Sequence, residues 1–262
     1  MLCCDAVVCG VTQLHDVVYI ARRKSSIILR FNATTHKPLT WINTFTQGLF
    51  EPEDIVACEQ TSQLYVSDSD EWRVWRMSAD GSGIQLWWPR YQGETVKPTS
   101  LSLTSTRLLL TSRDTNQLIQ LDSLGVELRR VQLPDHMKPW HAVESPTTTF
   151  ILSQENTQLN QCHISEVNTD GQVLRQFTGS RLSPLGLTPH IAIDSRGNLL
   201  VANSLNRCIL LLDAQLKLRR VIIDEHQLNY KQPRRLCYSE STGQLLIGFY
   251  DEKVAVFHVL CR

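Results

Sequence analysis

Neither sign of charge predominates in this chain of 262 residues: 26 Lys and Arg stand against 26 Asp and Glu. That balance argues against nucleic acid or an anionic membrane held by bulk electrostatics, although a local basic patch fits inside a neutral total. No apolar run approaches the roughly 18 residues that a membrane-spanning helix needs, and no long block of like charge marks a disordered tail. The opening stretch Met1-Leu2-Cys3-Cys4-Asp5 lacks a basic leading segment, so it does not read as a secretory signal. Together these absences point to a cytoplasmic protein with no membrane partner. Catalytic signatures are scarce too. The chain has no Gly-x-Ser-x-Gly elbow and no Cys-x-x-Cys pair, and Asp80-Gly81-Ser82-Gly83 lacks the Lys and helix of a phosphate-cradling loop. Asn32-Ala33-Thr34 matches the glycosylation acceptor pattern, which matters only on the secretory route. The eight cysteines, Cys3, Cys4, Cys9, Cys58, Cys162, Cys208, Cys237 and Cys261, are scattered through apolar runs and read as buried free thiols.

What the chain has is an internal repeat. Pro recurs ahead of short alternating segments at Pro52, Pro98, Pro139, Pro189 and Pro233, where each is expected to open a strand. Some eight to twelve residues later comes an apolar strand, as in Leu64-Tyr65-Val66, Leu108-Leu109-Leu110, Ile151-Leu152, Leu199-Leu200-Val201 and Leu245-Leu246-Ile247; Val17-Val18-Tyr19-Ile20 extends the series to six. A third strand follows, and a charged fourth is openly duplicated in Leu128-Arg129-Arg130, Leu174-Arg175-Gln176 and Leu218-Arg219-Arg220. Asp80-Gly81, Leu124-Gly125 and Asp170-Gly171 supply the intervening turns. Four short strands every ~41–50 residues is the period of a propeller blade. The fold class predicted is therefore all-β: one six-bladed β-propeller over 1–262, with blades at about 6–45, 50–90, 96–134, 137–179, 187–226 and 231–262. The last blade has room for three strands, with Met1–Asp5 an imperfect candidate for the fourth. The incomplete closure suggests a module of a longer protein.

Pro189-His190-Ile191-Ala192-Ile193-Asp194-Ser195-Arg196-Gly197-Asn198, continuing through Leu199-Leu200-Val201-Ala202-Asn203-Ser204 to Asn206-Arg207-Cys208-Ile209, resembles an NHL repeat. Ser67-Asp68-Ser69 carries the family's tripeptide in the second blade, whereas the fifth has Asn203 in place of the usual Asp. The resemblance implies the C-terminal propeller of a tripartite-motif NHL-type protein or a free-standing relative. Any ubiquitin-ligase activity of such a parent lies in domains outside this sequence.

In a propeller, the loops leading into each first strand and those between the second and third strands emerge on one face. This places Trp140, His141, His190, Arg234 and Arg235 in the first set and Arg22, Asp68, Trp72, Arg113 and Asn203 in or near the second. Their residue types change from blade to blade while the strands repeat, as expected of a surface freed from packing. The favoured function is a non-catalytic platform for a protein or peptide partner, because Trp, Tyr and Arg concentrate at protein interfaces. No cofactor and no metal is assigned. One alternative is a lactonase-like hydrolase of the gluconolactonase group, with Glu53, Asp68 and Asn203 as oxygen ligands of a divalent cation. His141 and His190 as imidazole ligands of an amidating-lyase type are a weaker variant, since a third channel His is missing. The other alternative is single-stranded RNA on Arg22, Arg23, Lys24, Arg113, Trp140, Arg234 and Arg235, with Trp140 as a stacking platform. Acidic neighbours on the same rim would cancel much of that patch.

Overall fold

Leu108–Ser112, Leu199–Asn203 and Cys208–Leu212 are buried along their whole length, with no alternation. Such strands must be covered on both faces, and radial packing of sheets covers them. A computed structural model, describing residues 7–68, 70–89, 96–104, 107–179, 185–186 and 189–259, shows how. Six antiparallel sheets are arranged as a six-bladed β-propeller, each running outward from the axis in chain order. The first comprises β1 (Val8–Leu14), β2 (Val17–Arg22), β3 (Ile27–Asn32) and a two-residue β4 (Ile42–Asn43). The second comprises β5 (Pro52–Cys58), β6 (Gln63–Asp68), β7 (Arg73–Ser78) and β8 (Gln85–Trp88). The third comprises β9 (Ser100–Leu103), β10 (Leu108–Ser112), β11 (Gln117–Leu121) and β12 (Glu127–Gln132). The fourth comprises β13 (Met137–Glu144), β14 (Phe150–Asn156), β15 (Gln161–Val167) and β16 (Val173–Phe177). The fifth comprises β17 (Ile191–Ile193), β18 (Leu199–Asn203), β19 (Cys208–Leu212) and β20 (Leu218–Ile223). The sixth holds three strands, β21 (Pro233–Ser239), β22 (Gln244–Phe249) and β23 (Val254–His258). Among the described residues the only helical element is a single 3₁₀ turn at Phe45–Gln47, and no helix is long and apolar enough to cross a membrane.

The core is divided in the same way. Six apolar clusters each join two neighbouring blades, from Cys9, Tyr19, Ile55 and Trp75 between the first and second to Val8, Val11, Ile20 and Leu246 between the sixth and first. The last interface closes the ring. There the Arg235 guanidinium donates from Nε to the Cys9 carbonyl, and Gly248 lies so close to Val8 that a Cβ would come within 2.6 Å of its side chain. The N-terminal candidate for a fourth strand of this blade lies outside the described residues. Cys9, Cys58 and Cys208 are buried free thiols, Cys162 is buried as well, and Cys237 is free and half-buried; Cys3, Cys4 and Cys261 fall outside the described residues.

The repeating prolines behave in three ways. Pro52 and Pro233 are the first residues of β5 and β21. Pro98 and Pro189 stand two residues ahead of β9 and β17. Pro139 corrects the expectation that each opens a strand, since it lies inside β13. It is tolerated because β13 is the innermost, edge strand of its sheet, where one N–H fewer leaves no partner wanting. Asn32 Oδ1 accepts from Thr34 N, Thr35 N and Thr35 Oγ1, so the glycosylation-like triplet forms an Asx turn after β3.

Candidate functional site

Four of the six inner strands slip register just after they begin: between Val8 and Gly10, Pro52 and Asp54, Pro139 and His141, and Pro233 and Arg235. A bulge of this kind leaves one residue unpaired and re-aims its side chain. In three blades the residue so released is the one after proline: Glu53, Trp140 and Arg234. These three, with Arg23, Lys97, Thr99, Arg113, Asp114, Arg235 and Tyr250, line a recess of about 380 Å³ at the mouth of the channel. The next residue in two of these blades, Asp54 and His141, turns inward and lines a second recess along the axis.

The mouth pairs arginines with aromatic rings. The Arg113 guanidinium lies 4.3 Å from the Trp140 ring centroid and that of Arg234 5.1 Å from Tyr250. Both are cation–π geometries. Carboxylates balance the cations. Glu53 sits 3.3 Å from Arg23 and 3.8 Å from Arg234, and Glu155 takes the Arg113 guanidinium in a close ion pair. Burial and the neighbouring Arg235 both lower the Arg234 pKa, in that order.

Beneath the mouth lies a polar layer. Asp54 accepts from Ile55 N at 2.9 Å and Leu101 N at 3.0 Å, with Arg235 Nε 3.9 Å from its carboxylate. Burial pushes its pKa up to about 6 despite these partners. His141 and His190 stack at 3.7 Å between centroids. His141 donates Nε2–H to the Leu101 carbonyl at 3.3 Å, a choice of tautomer dictated by the carbonyl, which leaves Nδ1 as a buried lone pair without a partner. His190 Nδ1 accepts from Leu236 N at 3.2 Å. Burial pulls the His141 pKa down to about 3, and burial with His141 and Arg235 nearby takes His190 well below its ordinary value. Asp54, His141 and His190 bring ligand-type atoms within 4.8 Å of one another. Stacked rings do not aim two lone pairs at one centre, however, and His190 Nδ1 is already occupied. The trio is a buried hydrogen-bonding layer with neutral imidazoles rather than a chelate.

Of the ten residues nominated from sequence, the structure brings Arg113, Trp140, Arg234 and Arg235 to the mouth, with His141 and His190 below. Arg235 is only 8% exposed, and its guanidinium is spent on Cys9 and Asp54 and on the Glu53 carbonyl. The other four lie elsewhere. Arg22 pairs with Glu252 at 3.1 Å. Asp68 and Asn203 are wholly buried, and both terminate a second strand as turn formers. The Asp68 carboxylate accepts from Phe50 N, Asp70 N and Glu71 N, and Asn203 Oδ1 accepts from Asn206 N. Asn156 does the same in the fourth blade. Glu53, Asp68 and Asn203 therefore do not converge, as oxygen ligands of one cation would have to. Trp72 is 43% exposed at the left-handed position of its turn. Lys97 and Asp114 went unnoticed in the sequence, as did the apolar walls of the inner recess, although His141 and His190 on its floor were nominated. The signal was the proline register: the first and second residues after Pro52, Pro139, Pro189 and Pro233 line one recess or the other.

No protein-family model and no curated protein matches the chain. Solved structures do. Kuenenia stuttgartiensis hydrazine synthase is 11% identical, with 98% of this chain and 97% of that one covered at a TM-score of 0.67. Virginiamycin B lyase from Staphylococcus aureus is 11% identical over 98% of this chain and 86% of that one, at 0.65. A chain of a nidogen/laminin complex is 16% identical over 85% and 82%, at 0.62. The likeness is one of fold. It spans a synthase, a lyase and a protein-complex component, so it leaves the chemistry to be argued from the mouth residues themselves.

Proposed function

We propose that this chain is an NHL-type, cytoplasmic propeller that acts as a non-catalytic platform and receives a protein or peptide partner at the mouth where its inner strands begin. The observation that carries this reading is the pair of arginine–aromatic contacts, Arg113 on Trp140 and Arg234 on Tyr250, facing one recess of about 380 Å³. Such pairs are the usual anchors of protein interfaces. Glu53 and Glu155 beside the arginines favour a partner of mixed charge over a phosphate backbone. The NHL assignment is supported by local chemistry: Asp194 Oδ1 accepts from Arg196 N and Asn198 N across the Gly197 turn, and Asp68 and Asn203 hold the turns after their second strands. Thiols raised to about 11 at Cys162 and Cys208, chiefly by burial, suit a reducing compartment.

The test is to select peptides from a random display library on the immobilised chain and remeasure the winners on variants. Trp140→Ala and Arg113→Ala are each expected to weaken binding about tenfold or more while the melting temperature stays within a few degrees. Peptides that bind all variants equally would refute the reading. A single-stranded RNA oligonucleotide that binds the same mouth with steep salt dependence would replace it with RNA recognition.

A further inference from the structure

The cations that line the mouth are not equally committed. Arg235 donates to the Cys9 carbonyl and faces Asp54, and Arg113 is held by Glu155. Arg23 meets Glu53 through Nε, with its side chain 48% exposed. Arg234 differs from all three. Its side chain is only 12% exposed, yet it makes no hydrogen bond among the described residues, and its ion-pair partner Glu53, shared with Arg23, stands 3.8 Å away. That is beyond hydrogen-bond reach. Of its three nitrogens only Nε is sealed from solvent, so the terminal pair opens on the recess that the residue lines. Tyr250 covers one face of the guanidinium, and an acceptor therefore has to approach in its plane, where all five N–H groups lie. In the same recess Lys97 is half-buried, with no ion pair or hydrogen bond among the described residues. A guanidinium withdrawn from bulk water is costly until an acceptor arrives, and burial together with the neighbouring Arg235 already lowers the Arg234 pKa. Since Arg235 and Asp54 offset one another, Arg23, Lys97, Arg113 and Arg234 face Glu53, Asp114 and Glu155, which leaves one positive charge uncompensated. A single anionic group would balance the mouth. A run of them would not.

We propose that the mouth selects an acidic residue, Asp or Glu, of the partner peptide, its side-chain carboxylate accepting from the terminal nitrogens of Arg234 and attracted by Lys97 from another wall of the recess. The proposal rests on the peptide-platform reading and names the chemistry by which the platform chooses.

Three random libraries of N-acetylated hexapeptides, passed over the intact immobilised chain, are the probe. The first has a fixed central Glu and an amidated C-terminus, the second replaces that Glu with Gln, and the third keeps the Gln but ends in a free carboxylate. The Glu library is expected to be retained about tenfold better than the Gln library, as loss of a hydrogen bond to a charged group implies. Arg234→Gln should bring that preference close to one, and Lys97→Gln should reduce it severalfold; Lys97 is half-buried and unpaired, so its replacement leaves folding intact. Glu and Gln libraries retained equally, and both lost on Trp140→Ala, would overturn the carboxylate proposal while the platform reading stands. A preference carried only by the free C-terminus would overturn it in favour of chain-end recognition, and a Glu preference that survives both substitutions would overturn the assignment to these residues. Retention of no library would remove the platform reading and the proposal together.

Discussion

Trp72 shows how a single position can be set by backbone conformation. It occupies the left-handed region with φ of 54°, as Asn116, Asn160 and Arg207 do in the equivalent turns of other blades. A bulky L-residue pays about 1 kcal/mol there, and Asn tolerates the conformation best. Trp72→Asn is therefore expected to stabilise the protein by about 0.5–1 kcal/mol, read as a raised urea midpoint at unchanged slope. The polar layer predicts a pH dependence. His141 and His190 have depressed pKa values, so the stability they confer is complete above about 6.5, their unfolded value, and is lost as pH falls toward about 3 for His141. Asp54 is raised from 3.8 to about 6 and acts in the opposite sense: its contribution is full below 3.8 and is lost as pH rises through 6. Two imidazoles oppose one carboxyl, and urea unfolding is expected to show a net loss of stability between pH 6.5 and 4. Asp54→Asn removes the compensating group and should steepen that loss. A profile flat across this interval would contradict the assignment of His141 and His190 as neutral in the folded state.

Elements are set by what covers them. Trp87 and Trp88 on β8 are both buried, at 7% and 4% exposure. Neighbours in a strand face opposite ways, so burying both requires cover on each side. Trp87 meets Tyr65 edge-on at 4.7 Å, and its indole also packs beside Gly125 of the next blade. Trp87→Ala should cost about 3–5 kcal/mol, measured by denaturant titration. By contrast, β12, β16 and β20 are largely exposed, and their arginines pair with Glu127, Glu166 and Asp213. Charged outer edges of this kind discourage sheet-to-sheet association. The strands were legible in the sequence because apolar runs, Gly turns and charged edges are local patterns. The bulges were not, because a slip of register depends on the partner strand. For that reason the placement of Glu53, Trp140 and Arg234 at the mouth, with Asp54 and His141 below them, could not be read from alternation.

At the scale of the whole molecule, the ring closes without a shared sheet among the described residues, through packing of the first blade on the last. Arg235 bridges that seam by donating to the Cys9 carbonyl while facing Asp54. Arg235→Ala would leave the buried Asp54 carboxylate without its counter-ion and the Cys9 carbonyl without the guanidinium that donates to it, and should cost about 3–5 kcal/mol in a thermal or urea transition. This separates Arg235 from Arg234, whose replacement should affect binding more than stability. The sequence by itself determined the number of blades, the order of their strands and which strands face solvent, because these follow from periodic hydrophobicity and turn chemistry within some fifty residues. Only the tertiary structure decided which nominated residues meet. Asp68 and Asn203 went to turns, Arg235 to the seam, and His141 with His190 to the axis, since convergence on a common axis depends on how six separate repeats are rotated about it, and no local pattern encodes that rotation.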